Sequence, residues 1–187
     1  YDIRDLSQDE YEKWYSLMSV DKKQRVDRFR FKDDKKRTVA GEMLARKAIA
    51  EWCSVDETAI VFYKNEHDKP YLKDLSCHFN ISHSGELIVC AVGREKVGID
   101  VEKVREFKEN LIFKVCNEEE RERVLKSVDT NAEFCKVWTK KEAYLKYLGD
   151  GIKSFDFKNI VYPDNLIMRT CEYGNFIMIV CSGKNEA

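Results

Sequence analysis

A chain of 187 residues can bury one sizeable core, or two small halves, without disulfide or metal staples. Charged residues make up 36% of it yet cancel to a formal net charge of -1, which excludes a global polyanion-binding surface and leaves any such site local. No apolar run approaches the roughly 20 residues of a membrane span, and the start YDIRDLSQDEYEKW lacks the features of a secretory signal, so a soluble, cytoplasmic protein is expected.

Taken in chain order, helical periodicity runs from about Ser19 to Glu51, with Phe29, Phe31, Val39, Met43, Leu44, Ala48 and Ile49 as its apolar set. It predicts two helices broken near Lys32 to Asp34. Strand-like runs follow in AIVFYKN and, after a turn around Asp68-Lys69-Pro70, in HFNISHS. ELIVCAV, a polar turn at Gly93 to Lys96 and VGIDVEKV are expected to form a hairpin. Residues 117 to 127 and 132 to 148 read as helices, with Gly149 placed to end the second. FKNIVYP, LIMRTCEYG and NFIMIVCS return to strands. The pattern is α+β, two helix-plus-sheet halves meeting near residue 96. Cys53, Cys77, Cys90, Cys116, Cys135, Cys171 and Cys181 are odd in number, well separated and free of C-x-x-C spacing. Reduced cytosolic thiols are expected rather than a disulfide framework or a zinc site.

Three groups of residues carry possible chemistry. In VGIDVEKV, Val97, Ile99 and Val101 fall on one face of a strand, while Gly98, Asp100 and Glu102 fall on the other. Carboxylates that close repel. A hard divalent ion such as Mg2+, which takes one or two carboxylates together with phosphate and water, would relieve the repulsion; ordinary solvated acids on an exposed face are the alternative. Gly98 clears room beside Asp100 for something bulky. In the segment from Trp138 to Lys146, WTKKEAYLK, Glu142 and Lys146 lie four apart on one helix face with Trp138. A carboxylate beside an ammonium suits metal binding and phosphate neutralisation in phosphoryl-type transfer. Judged alone, Thr139 to Glu142 reads first as a capping box and Glu142 with Lys146 as a helix ion pair.

The third group centres on His83 in FNISHSGE, which by itself reads as a hydrogen-bonded structural residue, with no second His nearby for a metal pair. Around it in the sequence stand Lys69 and the basic segment DKKQRVDRFRFKDDKKR, residues 21 to 37. A charge run is most simply a solvated helix face, with phosphate binding as the alternative. No glycine-rich phosphate loop is present, so any nucleotide must be held by side chains.

In their order and spacing these motifs resemble the 4'-phosphopantetheinyl transferases of the surfactin-synthetase-activating type. Val97 to Glu102 matches the family's small-Gly-aliphatic-Asp-aliphatic-Glu pattern, Trp138 to Lys146 matches W-[ST]-x-K-E-A-x-x-K at every specified position, and FNISHS and Lys69-Pro70 match two further motifs. Asp68 stands where the family carries Gly, and the tail is shorter than the family's. The resemblance, which runs from about residue 20 to 150, implies a pseudo-twofold pair of similar α+β halves, residues 1–96 and 97–187, with coenzyme A in the cleft between them. It implies transfer of the 4'-phosphopantetheine arm of coenzyme A to a serine of an acyl or peptidyl carrier protein, with release of 3',5'-ADP, that is, holo-[acyl-carrier-protein] synthase activity.

The same resemblance implies Mg2+ held by Asp100, Glu102 and Glu142, with Glu142, Lys146 and Asp100 as the catalytic set and Lys146 on the leaving diphosphate. Lys22, Arg25, Arg37, Thr38, Lys69, Ser82 and His83 would surround the 3'-phosphate and adenosine. A monomer is expected, with neither nucleic acid nor membrane as partner. The competing class is a non-catalytic nucleotide- or carrier-protein-binding module, which would need the basic residues but not all three acids. A nucleic-acid-binding protein would show steep salt dependence and aromatic stacking platforms, and the near-neutral charge argues against it.

Overall fold

A computed structural model describes residues 1–65, 69–149 and 156–184 of the chain, which divides into two compact units, Tyr1–Arg94 and Glu95–Ala187. The first unit begins with a helix that the apolar periodicity did not disclose, α1 (Gln8–Leu17). Its signal is the S-x-x-E of SQDE: the Ser7 hydroxyl accepts from the Glu10 amide at 3.2 Å, and the Glu10 carboxylate accepts from the Ser7 amide at 3.4 Å. Helices α2 (Val20–Arg28) and α3 (Lys32–Cys53) follow. The break expected near residues 32 to 34 falls just earlier, where Phe29 is already extended and its amide bonds the Val26 carbonyl at 3.1 Å. Trp14, Val26, Val39, Ala40, Met43 and Ile88 form the core beneath these helices. Burial of each large apolar side chain contributes roughly 1.5–3 kcal/mol.

Two antiparallel strand pairs complete this unit, β1 (Phe62–Lys64) with β2 (Pro70–Leu72) and β3 (His78–Ser84) with β4 (Leu87–Gly93). HFNISHS is strand β3 throughout, and it turns directly into β4 because Gly85 takes φ 56, a left-handed conformation that costs glycine nothing. Lys64 lies opposite Pro70, and the Lys69 amide donates to the Asn65 side-chain oxygen at 2.9 Å. Asp68, the substituted position of the expected turn, lies outside the described residues.

In the second unit β5 (Val97–Lys103), β6 (Leu166–Tyr173) and β7 (Phe176–Gly183) make an antiparallel sheet in the order β5-β7-β6. The hairpin expected between ELIVCAV and VGIDVEKV does not form. β4 is taken by β3 across the Gly85 turn, and β5 pairs with β7, placing Asp100 opposite Ile179. Helices α4 (Glu109–Val115), α5 (Glu118–Lys126) and α6 (Thr130–Leu148) accompany the sheet. Asn117 and Glu120 form a capping box on α5, Asp129 caps α6 by accepting from the Ala132 amide at 2.9 Å, and Gly149 ends α6 with φ 86. FKNIVYP contains no strand: Phe157–Asn159 is a 3-10 turn whose start is fixed by the Asp156 carboxylate, which accepts from the Lys158 amide at 3.0 Å. Both units are α+β in composition, and among the described residues no helix is long and apolar enough to cross a membrane.

Candidate functional site

The acids of the second unit sit on two elements that touch backbone to backbone. β5 is buried at every position from Val97 to Val101, so the alternation expected from the sequence is replaced by cover on both faces. That cover is α6. A methyl group at Gly98 would lie 2.1 Å from the Ala143 carbonyl oxygen and 2.4 Å from the Tyr147 amide nitrogen. The bulky neighbour for which Gly98 makes room is therefore the helix itself, and Asp100 is only 3% exposed, which removes the alternative of a solvated acid on an exposed face.

The close approach brings the Lys146 ammonium to Asp100 Oδ1 at 2.6 Å. Glu142, one turn earlier on α6, is 7% exposed. Burial first, then the negative charges of Asp100 and Glu102, push its carboxyl up to about 7, against the opposing pull of Lys146. Thr139 is fully buried inside α6, so the capping-box reading of Thr139 to Glu142 fails; the helix starts well upstream, at its Asp129 cap. Lys141, the other lysine of the motif, is 1% exposed and points away from these acids in function. Its ammonium donates to the Val115 carbonyl at 2.9 Å, the Phe157 carbonyl at 2.7 Å and the Glu120 carboxylate at 2.6 Å. Phe157 in turn stacks on Trp138 with ring centroids 5.5 Å apart. Within this motif, Trp138 and Lys141 build the support and Glu142 and Lys146 carry the charge.

Asp100, Glu102 and Glu142 offer oxygen donors of the kind magnesium takes, and the negative charges of Asp100 and Glu102, which add to burial in raising the Glu142 carboxyl, also attract a cation. The donor chemistry thus fits a hard divalent ion. Among the described residues, however, no group of three or more His, Cys, Asp or Glu side chains is drawn together closely enough to hold a metal, and the cation beside Asp100 is Lys146.

The basic residues of the first unit also converge. Lys22 and Arg25 from α2, Arg37 and Thr38 from α3 and His83 from β3 line one concavity of about 250 Å3. The Arg37 guanidinium is oriented from behind, donating to the Gly85 carbonyl at 2.9 Å and to Asp34 at 2.5 Å, and the Thr38 hydroxyl donates to the Asp34 carbonyl at 2.9 Å. Ser82 is buried at 5% exposure and is not part of this lining, nor is Lys69, although its neighbour Pro70 is. Sequence reasoning missed Lys64, Glu42, Phe62 and Asn80, which line the same concavity. The strand register would have found Lys64, which faces Pro70 of the Lys-Pro motif.

Comparison with known proteins agrees along the chain. The family model for the 4'-phosphopantetheinyl transferase N-terminal region matches residues 5–95, and that for the 4'-phosphopantetheinyl transferase superfamily matches residues 96–171. The chain is 35% identical to 4'-phosphopantetheinyl transferase Sfp of Bacillus subtilis over 155 residues, 81% of this chain and 69% of that one. It is 32% identical to 4'-phosphopantetheinyl transferase ffp of the same species over the same shares, 81% and 69%. With 4'-phosphopantetheinyl transferase gsp of Aneurinibacillus migulanus it shares 36% identity over 73% of this chain and 58% of that one. The chain belongs to the 4'-phosphopantetheinyl transferase family.

Proposed function

We propose that this transferase takes the 4'-phosphopantetheine arm from coenzyme A, delivers it to a serine of an acyl or peptidyl carrier protein and releases 3',5'-ADP. The observation that carries the reading is the meeting of Asp100 on β5 with Lys146 on α6 at 2.6 Å, next to a Glu142 carboxyl raised to about 7. A carboxylate of that basicity is matched to removing a proton near neutral pH. Glu142 takes the proton of the carrier serine, directly or through a water. The serine oxygen forms its bond to the phosphorus of the phosphopantetheine arm as the bridging P–O bond breaks, and the electron pair leaves with 3',5'-ADP, whose charge Lys146 meets. Asp100 holds the Lys146 ammonium in place. A magnesium ion bound by Asp100, Glu102 and Glu142 would neutralise charge on the pyrophosphate.

In this reading the 3'-phosphate and adenosine of coenzyme A are met by Lys22, Arg25, Arg37, Thr38, Lys69, Ser82 and His83. The concavity lined by five of those seven residues supports it. Seven free thiols suit a reducing cytoplasm, and a monomer is the simplest state for a chain whose units each carry a core. The test is incubation with coenzyme A, Mg2+ and an apo carrier protein, read by the intact mass of the carrier. The carrier should gain the mass of the arm, and EDTA or Asp100→Asn should abolish the gain. Tight binding of coenzyme A with no change in carrier mass would favour a binding module, and undiminished transfer in excess EDTA would remove the metal.

A further inference from the structure

The concavity of the first unit contains one feature that a site for an anion should avoid, a carboxylate. Glu42 lies on α3 with its side chain 3% exposed, and its Oε2 accepts from the Lys22 ammonium at 2.6 Å. Its other oxygen, Oε1, accepts from Arg46 Nε at 3.0 Å and Nη2 at 2.9 Å. Arg46, itself 7% exposed, is fixed on its far side, because Nη1 donates to the Glu57 carbonyl at 2.9 Å and the Ile60 carbonyl at 2.8 Å. The Phe62 ring lies against both cations, 4.6 Å from the Lys22 nitrogen and 5.0 Å from the Arg46 guanidinium. Arg46 alone would satisfy the charge of Glu42. The second oxygen is left to reach the neighbouring helix, where it meets a lysine whose flexible stem would otherwise sample many rotamers.

We propose that Glu42 is the positioning residue of the coenzyme A site: anchored by Arg46, it fixes the ammonium of Lys22 over Phe62 before the ligand arrives. This rests on the reading of Lys22 as a coenzyme A contact. Preorganisation of a cation lowers the ordering cost of binding an anion, as the general economics of association require. The proposal makes a prediction of opposite sign to simple electrostatics. Removing a negative charge from an anion site should tighten binding if Glu42 only sets the local potential, whereas removing a positioning group should weaken it.

The experiment measures the dissociation constant of coenzyme A by titration calorimetry, together with kcat, for wild type, Glu42→Gln, Glu42→Asp, Lys22→Met and the double variant Lys22→Met with Glu42→Gln. Glu42→Asp keeps the charge opposite Arg46 but shortens the reach to Lys22, so it answers the question if Glu42→Gln does not fold. Both single variants at Glu42 should weaken coenzyme A by about tenfold, the scale of one charge-assisted hydrogen bond, with kcat little changed. The double variant should bind no more weakly than Lys22→Met alone. If Lys22→Met binds as tightly as wild type, Lys22 is not a ligand contact and the proposal falls with that reading. If Lys22→Met weakens binding while Glu42→Gln and Glu42→Asp bind equally or more tightly, Lys22 stands and the positioning role is overturned.

Discussion

Glu142 concentrates the conflict between stability and chemistry in a single side chain. Its carboxyl is raised from 4.5 to about 7 by burial and by Asp100 and Glu102, with Lys146 the opposing charge, so the metal-free folded chain holds a proton there that the unfolded chain gives up. The folded state therefore binds more protons between those two values, and stability should fall as pH rises through that window and stay lower above it. Glu142→Gln should remove the loss, making the metal-free protein more stable than wild type at pH 8 by on the order of 3 kcal/mol. Transfer to a carrier should meanwhile drop by at least about 10²-fold. Thermal unfolding in EDTA at pH 5 and pH 8, with the carrier mass assay, checks both halves. A Glu142→Gln variant that unfolds more easily at pH 8 would contradict this account. The sequence pointed to Asp100, Glu102, Glu142 and Lys146 only through the family resemblance, because spacing alone read as solvated acids and a capped helix; the pairing of Lys146 with Asp100 comes from the packing of α6 on β5. Glu42 was not legible, since a Glu four residues before an Arg on a helix looks like any exposed pair until burial is known.

At the scale of elements, the contact between β5 and α6 has no side-chain layer that can yield. The atoms that a Gly98 methyl would meet, the Ala143 carbonyl oxygen at 2.1 Å and the Tyr147 amide at 2.4 Å, are backbone, so Gly98→Ala must displace the helix. Overpacking of this kind typically costs about 1–3 kcal/mol. The variant should melt earlier and lose transfer activity out of proportion to its stability, since the displaced helix carries Glu142 and Lys146; a Gly98→Ala protein with normal turnover would refute this. The elements themselves were unevenly readable. α6 and β3 announced themselves through a glycine stop and a polar-flanked run. The expected ELIVCAV–VGIDVEKV hairpin failed because adjacency in sequence says nothing about which edge is already paired, and only the φ 56 turn at Gly85 gives β4 to β3. FKNIVYP reads as a strand by composition, but a short Asp156 cap and the Trp138 ring hold its start in a turn.

Over the whole molecule the cysteines divide between the two units and report on each. Cys77, Cys90 and Cys181 are pushed up to about 12 by burial, and Cys116 and Cys135 to about 11, whereas Cys171 is exposed. Because the thiolate is the nucleophile, a disulfide reagent at pH 7.5 should modify the exposed Cys171 first, the half-buried Cys53 and Cys90 more slowly, and reach the buried Cys77, Cys116, Cys135 and Cys181 only when their unit opens. Peptide mapping at intervals through a urea series would follow Cys77 for the first unit and Cys116 and Cys181 for the second. Labelling of Cys77 or Cys181 as fast as Cys171 in native conditions would contradict the burial described. Lys141 carries a different consequence, which concerns what the chain will tolerate at a position between two helices and a turn. An ammonium has three protons set as a tripod, and Val115, Glu120 and Phe157 take all three. A guanidinium is flat and wider, with its donors in one plane. Lys141→Arg, on most surfaces among the mildest of exchanges, should here lower the melting temperature more than replacement of the exposed Lys126, and the charge that both residues share will not rescue it.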